Sequence, residues 1–335
     1  MKQKSVKDFL MNNALYVIIA LLLIAIIAMD PTFLNVRNFT TILSQSSTRI
    51  ILACGIGGII VLGGTDLSLG RSVGLAAVVS SSLLQDPDYA RRVFPPDVVP
   101  LLPVFLVLIL TMIMMMCFSA AQGFVVAKLG VAPFIASLGF QLVIYGICSL
   151  YFNGPCNANS ISGLDESFSH FAQGKIEIFG NFSISYLIIY AAIVVLFVSY
   201  IWYKSVLGRN MFAIGGNKAA AKVCGVNVVL SMILVYMLAG ALYGVGGMLE
   251  AARAGSAVNS TGLSYEMDAI AACVVGGVSM KGGTGSVPGI VLGVIIFQII
   301  SYGLIYVGVS PDMQYVIKGL IILIAVILDT RKHKG

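Results

Sequence analysis

Apolar residues in this chain run together in long charge-free blocks, separated by short polar stretches. An isolated charge at mid-bilayer costs about 2.5–3.5 kcal/mol on insertion scales, so such blocks mark candidate membrane spans. Ten blocks stand out. They are Ala14 to Met29, helped by Phe9 to Met11; Ile50 to Thr65; Ser72 to Gln85; a stretch within Val98 to Ala127; and Pro133 to Phe152. The remainder are Ile184 to Tyr203; Val226 to Leu249; Ala269 to Met280; a stretch within Ser286 to Val307; and Met313 to Leu328, which Lys318 interrupts. A crossing helix needs about 20 residues, so the second, third and eighth blocks predict short or discontinuous helices. The pattern predicts an all-α, polytopic membrane protein of about ten transmembrane helices, one transmembrane domain over 1–335. The first block follows Lys2, Lys4 and Lys7 and has no small-x-small cleavage site before Asp30, which favours a retained anchor over a cleaved signal peptide.

Composition sharpens this picture. Apolar residues make up 59% of the chain and charged residues 10%, with a mean hydropathy of +0.98. A soluble domain carries about a quarter charged residues, so a soluble enzyme, a disulfide-stapled secreted domain and a disordered regulator are all excluded. The net charge of +6 comes from bases scattered between apolar blocks, which reads as membrane topology and not as a nucleic-acid footprint.

If the amino terminus is cytoplasmic, ten crossings return the carboxyl terminus to the same side. Lys2, Lys4, Lys7, Lys128, Lys204, Arg209, Lys218, Lys222, Lys281, Arg331, Lys332 and Lys334 then fall inside, twelve of the 20 bases. Asp30, Asp86, Asp88, Asp97, Asp165, Glu166, Glu177, Glu250, Glu266, Asp268 and Asp312 fall outside, eleven of the 14 acids. That segregation obeys the positive-inside rule. The two histidines, His170 and His333, are far apart and share no metal-ligand spacing with cysteines, so no metal or other cofactor is expected on this chain.

The polar chemistry gathers in three glycine-rich stretches. Gly63 to Arg71 places Thr65, Asp66 and Ser68 between two short apolar blocks. Non-helical backbone at membrane depth survives only where protein or water covers it, so the stretch reads as a broken helix beside a transported substrate. It reads equally as a tight turn whose Asp66 caps the next helix. Gly276 to Gly285 resembles it in its glycines but lacks the Gly-x-x-x-x-Gly-Lys-Ser/Thr spacing of a phosphate-binding loop, as does the rest of the chain. The third stretch lies in the inward segment 204–226. There Asn217 is a good N-cap and Gly225 suits the left-handed position after a helix end, predicting a helix of about two turns and 10 Å. So short a helix needs a surface, either a groove in another protein or its own membrane domain. Gln122, Gln141, Gln298 and Tyr302, with Gln45 at the outer approach to the second block, are candidates for a translocation pathway or gate. Each could instead bond a neighbouring helix. Gly240, Gly244, Gly246 and Gly247 read as close helix packing.

Gly-Gly-Thr-Asp-Leu-Ser-Leu-Gly (63–70), Ala-Ile-Gly-Gly-Asn-x-x-Ala-Ala-x-x-x-Gly-Val (213–226) and Gly-Gly-Val-Ser-x-x-Gly-Gly-x-Gly (276–285) resemble the membrane-spanning permeases of ribose/galactose/xylose-type ABC sugar importers. Residues 45–51, 161–174 and 266–279 are most similar to the galactose/methyl-galactoside branch, while the loop from Phe152 to Asn159 departs from it. The resemblance implies an ATP-driven, binding-protein-dependent importer of galactose/methyl-galactoside in the cell inner membrane, working by alternating access. It also implies a second copy of the chain, a cytoplasmic ATP-binding subunit with two fused cassettes that uses ATP and Mg, and a periplasmic sugar-binding protein. Gly216, Asn217, Ala220, Ala221 and Gly225 match the loop that contacts the ATPase. The rival is an ion-coupled secondary sugar transporter with Asp66 as the coupling carboxylate. Against it, Asp66 has no second carboxylate nearby in a span, and Arg71 is available as a local partner.

Overall fold

A lone segment in lipid must satisfy its own backbone groups, and the α-helix is the fold that does so. The computed structural model describes residues 14–95, 97–156, 159–179 and 182–332, and within them the apolar blocks form helices. In chain order these are α1 (Ala14–Met29), α2 (Val36–Val61), α3 (Leu69–Leu83), α4 (Val104–Ala127), α5 (Pro133–Tyr151) and the short amphipathic α6 (Glu166–Gln173). After a hairpin come α7 (Tyr186–Lys204), α8 (Val206–Gly216), α9 (Lys218–Val223), α10 (Val228–Ala254), α11 (Tyr265–Val275), α12 (Val287–Tyr306) and α13 (Pro311–Lys332). Six of them are long and apolar enough to cross a membrane. Local chemistry sets several starts. Asn35 accepts from the Arg37 N–H at 3.0 Å ahead of α2, and α5 and α12 carry proline in their first turn, where a missing N–H costs nothing.

Four expectations need correction. The second block is not short, because α2 begins at Val36 and runs 26 residues. Its middle carries Arg49, whose charge is matched by Asp268 at 3.1 Å and by the Tyr265 ring 3.5 Å below the guanidinium. Second, the fold is not purely helical. Strands β1 (Lys175–Phe179) and β2 (Phe182–Ser185) pair antiparallel with Lys175 opposite Ser185, in a segment where Lys175 and Glu177 alternate with isoleucines at period two. Third, 204–226 holds, besides the short helix expected after Asn217 (α9), a second helix ahead of it, α8. Fourth, Glu250, Glu266 and Asp268 lie within α10 and α11 and not in loops. Glu250 and Asp268 have basic partners there. The expectations on Lys2, Lys4, Lys7, Phe9 to Met11, His333 and Lys334, and on Asn157 and Ala158 of the departing loop, lie outside the described residues.

The short helices do appear. α3 has 15 residues and α11 has 11, roughly 22 and 16 Å at 1.5 Å per residue, against a hydrocarbon core of about 30 Å. Both are packed inside the bundle. The hub is α10, which runs antiparallel to α2: Thr48 meets Glu250, while a side chain at Gly55 would touch Ala239. Gly240 and Gly244 let the α4 backbone close in, since a methyl on either would collide with the main chain at Met115 or Thr111. Of the apolar window of α2, 83% is buried in protein, against 22% in α4, α5 and α7. α2 can therefore hold Ser46, Ser47 and Thr48 without showing them to lipid, whereas Leu142, Leu150 and Leu196 point outward from α5 and α7.

Candidate functional site: a buried carboxylate, a capped helix and a charged clasp

Past Val61 the chain turns at Gly63, where φ is +79°, and 64–68 folds back into the bundle before α3 starts. Asp66 is thereby fully buried. Its Oδ1 accepts from the Ser68 N–H at 2.9 Å, the Ser68 hydroxyl at 2.6 Å and the Gln122 amide at 3.0 Å. Its Oδ2 accepts from the Tyr243 hydroxyl at 3.1 Å. Neutral donors from α4 and α10 thus replace the water a carboxylate loses on burial. Arg71 is not its partner; that guanidinium lies 4.3 Å above the Tyr145 ring. The Tyr236 hydroxyl is buried without a partner among the described residues. The chain is broken between α2 and α3 and Asp66 turns it at Ser68, but the residue that precedes α3 is Ser68 and no side chain caps that helix, so Asp66 is not its cap.

The other polar candidates do not share this cluster. Gln298 donates to Gln45 at 2.8 Å, and Tyr302 donates to Asn38 at 3.0 Å. Gln141 is half-buried on α5 and makes no hydrogen bond among the described residues, and Thr65 is half-buried in the Asp66 loop. Asp66, Ser68 and Gln122 are brought together; Gln45 and Gln298 form a separate pair, and one copy of the chain does not string these groups into a single line.

α8 and α9 are joined at Asn217, whose side chain accepts from the Ala220 N–H at 3.0 Å and starts a six-residue helix. Gly225 follows at φ +84°, as its position after the helix end requires. The inward face is Ala221, 4% exposed, so a bulky charge there tests packing on this chain and not docking. Gly216, Asn217, Ala220 and Gly225 are exposed, and Val223 is 89% exposed. The short helix thus packs on its own chain through Ala221 and leaves Ala220 and Val223 uncovered. Beside it the 276–285 stretch reaches across, with the Gly283 N–H donating to the Val61 carbonyl at 2.8 Å.

A charged clasp that no motif announces lies midway along α2. Glu250 receives Thr48 Oγ1 at 2.8 Å, Tyr265 OH at 2.7 Å and Arg253 through Nε at 3.2 Å and Nη2 at 2.7 Å. Next to it Asp268 binds Arg49 at 3.1 Å and Lys318 Nζ at 3.2 Å, which explains how α13 carries a lysine. The only sequence signal was charge at the rims of apolar blocks. The partners stand 219 residues apart for Arg49 and Asp268, beyond any spacing rule. Arg253 also lines a hollow of about 220 Å³ with Thr41, Ser44, Gln45, Lys175 and Ser185. Hydroxyls, an amide and two cations make this a surface that can exchange hydrogen bonds with a polyhydroxylated solute.

A family model described as the branched-chain amino acid transport system / permease component matches residues 38–326. The chain is 51% identical over 333 residues to the galactose/methyl galactoside import permease protein MglC of Escherichia coli K12, covering 99% of this chain and 98% of that one. It is 50% identical to the protein of the same name from Haemophilus influenzae, covering 97% and 96%. The ribose import permease protein RbsC of Escherichia coli K12 is 33% identical, covering 98% and 96%. No solved structure matches. The chain belongs to this family of membrane permeases.

Proposed function

We propose that the chain is the membrane-spanning subunit of an ATP-driven importer of galactose and methyl galactosides in the cell inner membrane. The observation that carries this is identity over half the positions, along the full length, to permeases named for those sugars. Two copies line one pathway. A cytoplasmic subunit with two fused cassettes binds and hydrolyses ATP, and a periplasmic binding protein delivers the sugar. This chain binds no cofactor and performs no covalent step.

Ten crossings place both termini in the cytoplasm. α1 to α5, α7 and α10 to α13 supply ten helices for those crossings. In this orientation α9 faces the cassettes and the polar hollow at Gln45 faces the periplasm. Support for α9 as the contact comes from its outward Ala220 and Val223, which leave apolar surface for a partner to cover. Gly216, Asn217, Ala220 and Gly225 sit on that exposed side, and Ala221 anchors the helix from behind. Thr65, Asp66, Ser68, Gln122, Gln45 and Gln298 act in gating, with the hollow at Gln45 the first hydrogen-bonding surface a sugar meets.

The deciding experiment uses proteoliposomes containing this chain with or without the ATP-binding subunit and the sugar-binding protein. Galactose is expected to accumulate only when both partners and ATP are present. Accumulation by the chain alone under an ion gradient would transfer the assignment to a secondary transporter with Asp66 as coupling group.

A further inference from the structure

The three glycine stretches meet beside α9, and their closest approaches are between main chains. Besides the Gly283 bond to the Val61 carbonyl, a Cβ on Gly215 would overlap that carbonyl and stand 2.6 Å from the Gly283 nitrogen. A Cβ on Gly282 would stand 2.8 Å from the Gly63 nitrogen and 2.9 Å from the Gly215 oxygen, and one on Gly283 would stand 2.9 Å from Gly216. Real Cβ atoms do not come closer than 3.0 Å, so all three positions exclude a side chain. Gly282 and Gly283 also hold φ of +85° and +75°, which side chains resist. At Gly215, Gly282 and Gly283 main chain lies against main chain, so no rotamer change at those three contacts can absorb a displacement.

The junction has an input and an output. Gly216 is covalently joined to Asn217, the cap of α9. Gly63 lies three residues before Asp66, which is bonded to α4 through Gln122 and to α10 through Tyr243.

We propose that this junction is a rigid transmission joint, so that α9, the 276–285 stretch and the Asp66 loop move as one body when the ATP-binding subunit displaces α9. Gly215, Gly282 and Gly283 are positioning residues for transport, and the inference rests on the importer reading. Spin labels test it. With Cys117 and Cys224 replaced by serine, cysteines are introduced as Ala219→Cys and Lys281→Cys in the assembled importer. The distance between 219 and 281 in one chain is expected to stay within about 2 Å between nucleotide-free and ATP-bound states, against the about 5 Å of a one-turn helix shift. The distance between the two copies' 219 positions is expected to change. A change within the chain overturns the proposal.

A functional arm separates transmission from simple packing. In Gly283→Ala the ATP-binding subunit still co-purifies and ATP hydrolysis is kept, while galactose uptake falls about tenfold, the size of a typical coupling between sites. Gly139→Ala, where a Cβ meets nothing within 4 Å, leaves both unchanged. Wild-type uptake by Gly283→Ala, or equal loss of uptake and hydrolysis, counts against the joint. If that variant does not fold, the label distances still decide. Absent sugar uptake by the unmodified importer would instead refute the importer reading.

Discussion

α2 is held at Arg49 and at Val61 by opposite means. At Arg49 and the neighbouring Thr48 it is tied by ionised and hydroxyl side chains to α10, α11 and, through Asp268, to α13. Twelve residues on, about 18 Å along the helix, it is tied by its own carbonyl to another stretch of backbone. Side-chain contacts have rotamers and alternative partners, so they can be dissolved and remade; the main-chain contact has neither. A gate that opens at one face while being driven from the other can use both, with rearrangement at the clasp and faithful transfer at the junction.

The comparison can be broken most directly at Glu250. Glu250→Ala leaves Arg253, whose side chain is 29% exposed, without its carboxylate and takes from the Thr48 and Tyr265 hydroxyls their buried acceptor. It is expected to cost about 3 kcal/mol, read as a lower midpoint of thermal unfolding in detergent. An unchanged midpoint would mean that the clasp does not hold the fold. Asp66→Ala comes next, at about 2–3 kcal/mol, because the Gln122 amide and Tyr243 hydroxyl lose their buried acceptor. Uptake should fall with it, and uptake retained in Asp66→Ala would detach that loop from gating.

Arg49→Met sharpens the contrast. It removes the Asp268 pair and the contact with Tyr265 at an expected cost of about 1–2 kcal/mol. Lys318→Met is expected to cost under about 1 kcal/mol, since Asp268 keeps Arg49 as its partner at 3.1 Å. A double-mutant cycle between the two measures whether Asp268 needs both cations. The smallest effect on stability belongs to Val223→Ser, within about 0.5 kcal/mol because the residue touches little of its own chain. Its test is recovery of the ATP-binding subunit in pull-down, which is expected to drop.

What could be read from the sequence follows the range of each interaction. The α9 cap was legible because Asn217 and Gly225 act within a few residues of themselves. The direction of Ala221 was not, since a six-residue helix has too few turns to show a face. The first half of α2 was hidden by Arg49, whose pairing comes from a distant part of the chain. Asp66 was recognisable as unusual, but its partners lie 56 and 177 residues away. Alternation in Lys175 to Ile178 could have announced the hairpin, had period two been sought alongside charge-free runs. The glycine stretches announced themselves singly, and only the fold brings them into contact.

The pairing of Arg49 with Asp268 also bears on biosynthesis. The arginine is made 219 residues before its partner, and at about 5–20 residues per second that interval lasts roughly 10–40 s. Throughout it a nascent α2 carries a naked cation, which insertion into hydrocarbon penalises by about 2.5–3.5 kcal/mol. The penalty on holding α2 in the bilayer is lifted only once α11 has been made. Chains stalled short of residue 268 are expected to leave α2 open to water-soluble reagents.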